Sequence, residues 1–349
     1  MGAVSLCAQA QNPRIVLQGT GDPQVFSTID DALAAAQPND KLYFSGGTFT
    51  SGNGGITVDM PLHWIGAGIS PDSTNVTAQT TLRTLNEHIT FTNDANGSSF
   101  TGIQFYPDGG NTFNGDIFRF GTSTSDDAPQ NMVFERCSFY CYVGLGKRDA
   151  GNGPDPTLPS SNSSFNECVF FGEVNGSGIT STTFTRCDLG SYINDFTPSG
   201  LYVDHSTVRY YFTTCDGFIA KNSVIEGSDY GALTSSGTMN NCLLVAGTAA
   251  DAGSIVTTSS NIYSQVLGSI FVSDVDNIFQ WSDDLHLASG SPGISAADDG
   301  TNIGIYGSTS PFKAGAVPYN PHYQQATIAT STNPNGELPV SIRVAAQPN

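Results

Sequence analysis

Phe134-Glu-Arg-Cys137-Ser-Phe139, Phe165-Asn-Glu-Cys168-Val-Phe170, Phe184-Thr-Arg-Cys187-Asp-Leu189 and Met239-Asn-Asn-Cys242-Leu-Leu244 are four copies of one phrase. Each reads apolar, two mostly polar residues, cysteine, a variable residue, apolar. Without cysteine the phrase recurs at Val203/Ser206/Val208, Ile219/Asn222/Val224 and Ile262/Gln265/Leu267, and earlier at Phe100/Ile103/Phe105. Starts at 100, 134, 165, 184, 203, 219, 239 and 262 are 34, 31, 19, 19, 16, 20 and 23 residues apart. A period near twenty with longer excursions predicts a solenoid whose coils carry loops of variable length.

Aligned copies define columns along the solenoid. If the first, fourth and sixth positions face inward, the second and third occupy a corner between strands. Strands about 4.8 Å apart would place column cysteines within disulfide reach, so Cys168 and Cys187 could pair. Ser206, Asn222 and Gln265 stand in the same column, which favours buried, unpaired thiols. The third column reads Gly102, Arg136, Glu167, Arg186, His205, Lys221, Asn241, Ser264, the densest run of charge in the chain. A solvated ladder of opposite charges is the simpler reading. The sharper one is a track for sugar acids.

Composition agrees with strands and turns. The 349 residues include 39 Gly, only 12% are charged, and 31 Asp+Glu against 12 Lys+Arg give a net charge of -19. Such a surface repels nucleic acid and anionic lipid, and on average polyanionic polysaccharides. No run reaches the roughly 20 apolar residues of a membrane span, so no membrane insertion is expected. Ala3-Val-Ser-Leu-Cys-Ala8-Gln-Ala10 reads as the remnant of a secretory signal, residues 1–10, closing with a small-x-small site. The expected location is therefore secreted or on the cell surface.

Ser27-Thr-Ile-Asp30-Asp-Ala-Leu-Ala-Ala-Ala36 predicts a helix over 27–37 with Ser27 as N-cap and Asp30 at the capping-box position. At the head of a solenoid it would cover the open end of the core. This helix, Pro38-Asn-Asp-Lys-Leu-Tyr-Phe44, Gly46-Gly-Thr-Phe49 and Leu62-His-Trp-Ile-Gly-Ala-Gly68 together resemble the entrance of pectin-lyase-like right-handed parallel β-helix proteins. The exit, Asp284-Leu-His-Leu287, Ser291-Pro-Gly-Ile294, Asp298-Asp-Gly300 and Asn302-Ile-Gly-Ile-Tyr-Gly307, resembles the closing segment of secreted bacterial β-helices. The resemblance implies an all-β, right-handed parallel β-helix over residues 11–310 with an N-terminal capping helix. A strand-rich tail, 311–349, would pack on or cap the solenoid. Function does not follow from the fold, because the same entrance serves lyases, hydrolases, epimerases, adhesins and phage spikes.

Two excursions without periodicity, 107–131 and 144–164, offer walls for a groove. A β-eliminating polysaccharide lyase needs a base, a cation to acidify the proton beside a uronate carboxylate, and an acid at the leaving oxygen. Lys147, Arg148, His205, Arg209 and Tyr210, with Tyr211, could supply these, and Asp204 could hold Ca²⁺. Gly-His-Gly and Arg-x-Lys, which mark polygalacturonase-like hydrolases, are absent. Asp298-Asp-Gly-Thr-Asn302 reads as a turn rather than a calcium loop. Two functions stay open: a carbohydrate-associated protein with a polysaccharide or cell-surface glycan as partner, including a lyase acting on acidic glycans, or a non-enzymatic structural or adhesive protein that self-associates.

Overall fold

The computed structural model describes residues 13–52, 54–70, 78–85, 88–106, 118–121, 128–145, 161–176, 179–196, 200–210, 212–227, 235–245, 256–274, 276–313, 322–329 and 331–345. Within them the phrase folds as a strand, a turn and a second strand. Phe134 lies in Val133–Glu135, Arg136 turns the chain, and Ser138–Phe139 follows. A third strand, Val143–Gly144, completes the coil. Each strand pairs in parallel with its counterpart one coil away: Phe134 opposes Phe100 and Phe165, Phe139 opposes Phe105 and Phe170, and Val143 opposes Val174. Stacking the coils yields sheets of 12, 9 and 7 strands, the first extended at its N-terminal edge by two antiparallel strands, Ile15–Gln18 and Gln24–Phe26. The result is a parallel β-helix.

Inward residues form ladders. Phe100, Phe134, Phe165 and Phe184 stack at 4.9, 4.7 and 5.0 Å between ring centroids, with nearly parallel planes. Phe105, Phe139 and Phe170 repeat this in the second sheet at 5.0 and 4.6 Å. Both the apolar area removed from water and the offset stacking of the rings stabilise this arrangement. Between them the thiols of Cys137, Cys168, Cys187 and Cys242 are buried and free. Each donates to the carbonyl of the preceding coil's first-position residue: Phe100, Phe134, Phe165 and Ala220. The open disulfide option of Cys168 with Cys187 is thus not taken.

Register corrects two copies of the phrase. Val203 opposes Ala220, and Met239 opposes Ala220 and Thr258. The starts are therefore 203, 220, 239 and 258, spaced 17, 19 and 19, rather than 219 and 262. Ile219 faces outward and is 43% exposed. The alanine suffices inside because Phe218, stacked on Phe212 at 4.3 Å, supplies the missing volume. A Cβ at Gly237 would lie 2.5 Å from that Phe218 ring, so glycine is required opposite it. Consequently Asn222 and Ser260 stand in the turn column in place of Lys221 and Ser264, and Ser223 and Asn261 stand in the thiol column in place of Asn222 and Gln265.

The N-terminal end is closed by helix α1, Ile29–Ala35, which buries Ile29 and Ala32. Its N-cap is Thr28 rather than Ser27: Thr28 Oγ1 accepts from Asp31 N at 3.2 Å, while Asp30 instead accepts from Ser51 Oγ and Gly52 N. The excursion over 107–131 contains a regular strand, Phe118–Phe120, paired with Ile89–Phe91. The tail forms an antiparallel pair, His322–Ile328 with Val340–Ala345.

After the last coil the chain returns along the outside. Phe271–Ser273 pairs antiparallel with Asp284–Leu287, and the segment continues irregularly to 313. Ile270, Phe271, Leu285, Ile303, Ile305 and Phe312 pack on Val224 and Leu243, which point outward from the second sheet. A second apolar core results, lying outside the coils. Lys313 N donates to Glu167 Oε2, so the segment has by then passed several coils back toward the N-terminus.

Candidate functional site

The turn column is where charged side chains collect, and backbone geometry explains its position. Gly102, Arg136, Glu167, Arg186, His205, Asn222, Asn241 and Ser260 all have φ between 44° and 67°. This left-handed conformation costs about 1–2 kcal/mol for a residue with a Cβ. Local hydrogen bonds and the return segment offset that cost. Arg136 Nε donates to Glu167 Oε2 at 2.9 Å, with both side chains 1% exposed. The column is therefore not the solvated ladder expected from its charges, because the return segment lies over it.

At the middle of that corner, Asp204 Oδ1 lies 3.0 Å from His205 Nδ1 and accepts from Asn222 Nδ2 at 3.1 Å. The other His205 nitrogen faces Thr301 Oγ1 at 3.3 Å and Asp299 Oδ2 at 3.6 Å, both from the return segment. Lys221 Nζ lies 3.8 Å from Asp204 and 3.5 Å from Asp298. Burial pushes the Asp204 carboxyl up, but His205, Lys221 and Asn222 outweigh it and hold the group below the usual carboxylate range. Lys221 is shifted upward by its hydrogen bond to Tyr202 and by Asp204 and Asp298. Asp298-Asp-Gly-Thr-Asn302 is the turn expected, with Asp298 also accepting from Asn222 and Asp299 from Thr301. Among the described residues no group of His, Cys, Asp and Glu has metal-binding geometry. Asp204, the expected Ca²⁺ ligand, instead faces Asn222 and His205 at hydrogen-bond distance and Lys221 at ion-pair distance.

Arg209 lies elsewhere, between the second sheet and the return segment. Its guanidinium donates to both oxygens of Asp188 and, at 2.6 Å, to Asp274. Its side chain is 0% exposed. Tyr210 is half-buried with its ring 5.1 Å from that of Tyr192. Lys147, Arg148 and Tyr211 lie outside the described residues. His205 and Arg209 are thus brought to different places, and a substrate can reach neither without displacing the return segment. Sequence reasoning missed Asp188, Glu226 and Asp274, the partners of Arg209. The available signal was a charged pair, Arg209 and Glu226, at equivalent positions of successive coils, just past the inward Val208 and Ile225.

The outer face of the first sheet is different. Register aligns Ser164, Thr183, Tyr202, Ile219 and Thr238 in one column, and Asn166, Thr185, Asp204, Lys221 and Asn240 in the next. Every one of these is half-buried or exposed. Neither a protein-family model nor a curated protein matches the chain.

Proposed function

We propose that the protein is an exported, carbohydrate-associated β-helix that binds an extended glycan on the open face of its first sheet. The observation carrying this reading is the pair of accessible columns just described, which repeat hydroxyl and amide groups every ~4.8 Å along the solenoid. A polyhydroxylated chain can exchange hydrogen bonds with such a surface, and Tyr202 and Ile219 interrupt it with an apolar step against a sugar ring. A net charge of -19 favours neutral over polyanionic glycans. Export rests on the segment Ala3–Ala10, outside the described residues. A lyase step would need Lys147 and Arg148 to approach the corner at His205. Incubation with immobilised neutral and acidic polysaccharides, with Ca²⁺, tests the reading. Retention on at least one polysaccharide without unsaturated uronate products is expected; release of such products would move the assignment to a lyase, and no retention on any would sink it.

A second reading, a self-associating structural or adhesive protein, is favoured by the tail strand. Val340, Ile342 and Val344 alternate with Ser341 and Arg343 and are 51–54% exposed, an apolar row on a two-stranded pair that is marginal alone. Light scattering of the full chain decides it: concentration-dependent mass supports it, and a monomer at every concentration removes it.

A further inference from the structure

Three carboxylates meet one guanidinium between the second sheet and the return segment. Asp188 and Asp274 are hydrogen-bonded to Arg209, and Glu226 Oε1 lies 3.4 Å from Arg209 Nη1. All four side chains are at most 1% exposed. Among the described residues neither oxygen of Glu226 has a partner of good hydrogen-bond geometry, and Arg209 faces it only at ion-pair distance. Among the described residues, the groups facing this space from the coils are Asp188, Arg209 and Glu226. From the return segment they are Asp274, Asp283 and Asp276, whose carbonyl accepts from Arg209 Nη1 at 3.4 Å.

One cation cannot balance three ionised carboxylates, and burial magnifies the excess. The least costly remedy is a proton, and Glu226 is the member that Arg209 serves least. Burial, opposed in part by Arg209, pushes the Glu226 carboxyl up to about 9. Burial also raises Asp188 and Asp283.

We propose that Glu226 carries a buried proton and that this proton is the clasp holding the return segment closed over the second sheet. Opening is a simple ionisation: the carboxyl O–H gives its proton to hydroxide, forming water and a carboxylate. The new charge then repels Asp188 and Asp274. Asp188 and Glu226 sit on or beside strands held on both sides by parallel neighbours, whereas Asp274 follows a strand paired only with Asp284–Leu287. The return segment is therefore the part that lifts. Because the folded-state value lies above the unfolded one of 4.5, the penalty grows as pH rises between them and is complete above about 9.

The two tryptophans read this directly. Trp64 is 1% exposed inside the coils, whereas Trp281 is on the return segment, bonded through Nε1 to Tyr140 at 3.1 Å. Raising the pH from about 7 to about 10 should make Trp281 several-fold more quenchable by acrylamide while Trp64 stays shielded, the signature of local opening. Glu226→Gln should abolish that rise. An unchanged rise in Glu226→Gln, no rise in the wild type, or simultaneous exposure of both tryptophans would overturn the proposal. So would a response of neutral-pH quenching to Ca²⁺ or a chelator, which would put a metal ion in the proton's place. Should Glu226→Gln fail to fold, infrared spectroscopy of the wild type near neutral pH decides: a protonated carboxyl band is expected, and its absence refutes the clasp.

Discussion

The first and second sheets are built from the same phrase, yet their outer faces have opposite fates. Outward from the first sheet point Asn166, Thr185, Asp204 and Lys221, in contact with solvent. Outward from the second point Val169, Asp188, Val224 and Leu243, all at most 1% exposed beneath or near the return segment. A parallel sheet needs both faces accounted for, since apolar groups on either must leave water. The second sheet thus acts as the wall between two cores, and the first keeps a face for a partner. Charge on the covered face is paired away from water, whereas on the open face Asp204 and Lys221 pair with each other while still reaching solvent. Mutations should separate the two.

The largest expected effect is at Arg209. Arg209→Ala strands Asp188 and Asp274 without a counterion, and breaking a buried pair in this way costs about 3–5 kcal/mol. Thermal or denaturant unfolding should record that loss, together with release of Trp281 from Tyr140. A loss below about 1 kcal/mol would mean that water already reaches the guanidinium, as it would at a surface pair.

Acidification probes the corner between the faces. Asp204 and Asp299 are both held below the usual carboxylate range, against burial: Asp204 by His205, Lys221 and Asn222, and Asp299 by Thr301 and His205. A lowered folded value means that their contribution is present above the unfolded value, near 3.9, and lost as pH falls below it. The contacts of His205 with Thr301 and Asp299 should therefore loosen only in strong acid. Hydrogen exchange at Thr301 and Ser308, followed by NMR on acidification, checks this. Asp204→Asn should flatten the dependence while lowering stability at neutral pH. Loosening that begins well above the carboxylate range would refute this account.

Much of this fold was legible in sequence because the repeat is enforced by stacking. Phe134, Phe165 and Phe184 must recur at one spacing to superpose their rings, and Cys137, Cys168 and Cys187 must follow at a fixed offset to reach the carbonyl beneath. The copy at 220 was harder to place. Its inward residue is a small alanine beside a larger, outward Ile219, and only strand pairing reveals the swap. Candidate chemistry was less legible still. His205 and Arg209 are four residues apart, but one turns the corner in a left-handed conformation and the other lies beyond the second strand. Adjacency in sequence therefore placed them on different faces. The covering of the charged column depends on a segment about a hundred residues later, which no local pattern encodes. Outward Val169, Val224 and Leu243 were the sign that something covers the second sheet.

A smaller effect is expected in the thiol column. Ser206 Oγ and Ser223 Oγ already occupy it, donating to Asp204 O at 2.9 Å and to Lys221 O at 2.7 Å. Cys187→Ser should make the corresponding bond to Thr185 O, a carbonyl that Sγ already approaches at 3.5 Å beside its bond to Phe165 O, and cost about 1 kcal/mol in unfolding. A cost of several kcal/mol would mean that the larger sulfur is needed to fill space between Phe165 and Phe184.

The smallest effect on stability belongs to the open face. Thr183 sits between Ser164 and Tyr202 in its column, half-buried, and Thr238 lies beyond Ile219. Truncation to alanine at either site removes a hydroxyl that water can replace, so unfolding should change by no more than about 0.5 kcal/mol. If this face carries a glycan, retention on the polysaccharide that binds the wild type should nevertheless fall in Thr183→Ala and further in the double variant with Thr238→Ala. Bound sugar leaves the loss of a hydroxyl uncompensated, because water no longer has access to the site. Unchanged retention with unchanged stability would mean that these columns serve only to keep the sheet hydrated, and the partner surface would then have to be sought on the tail strand.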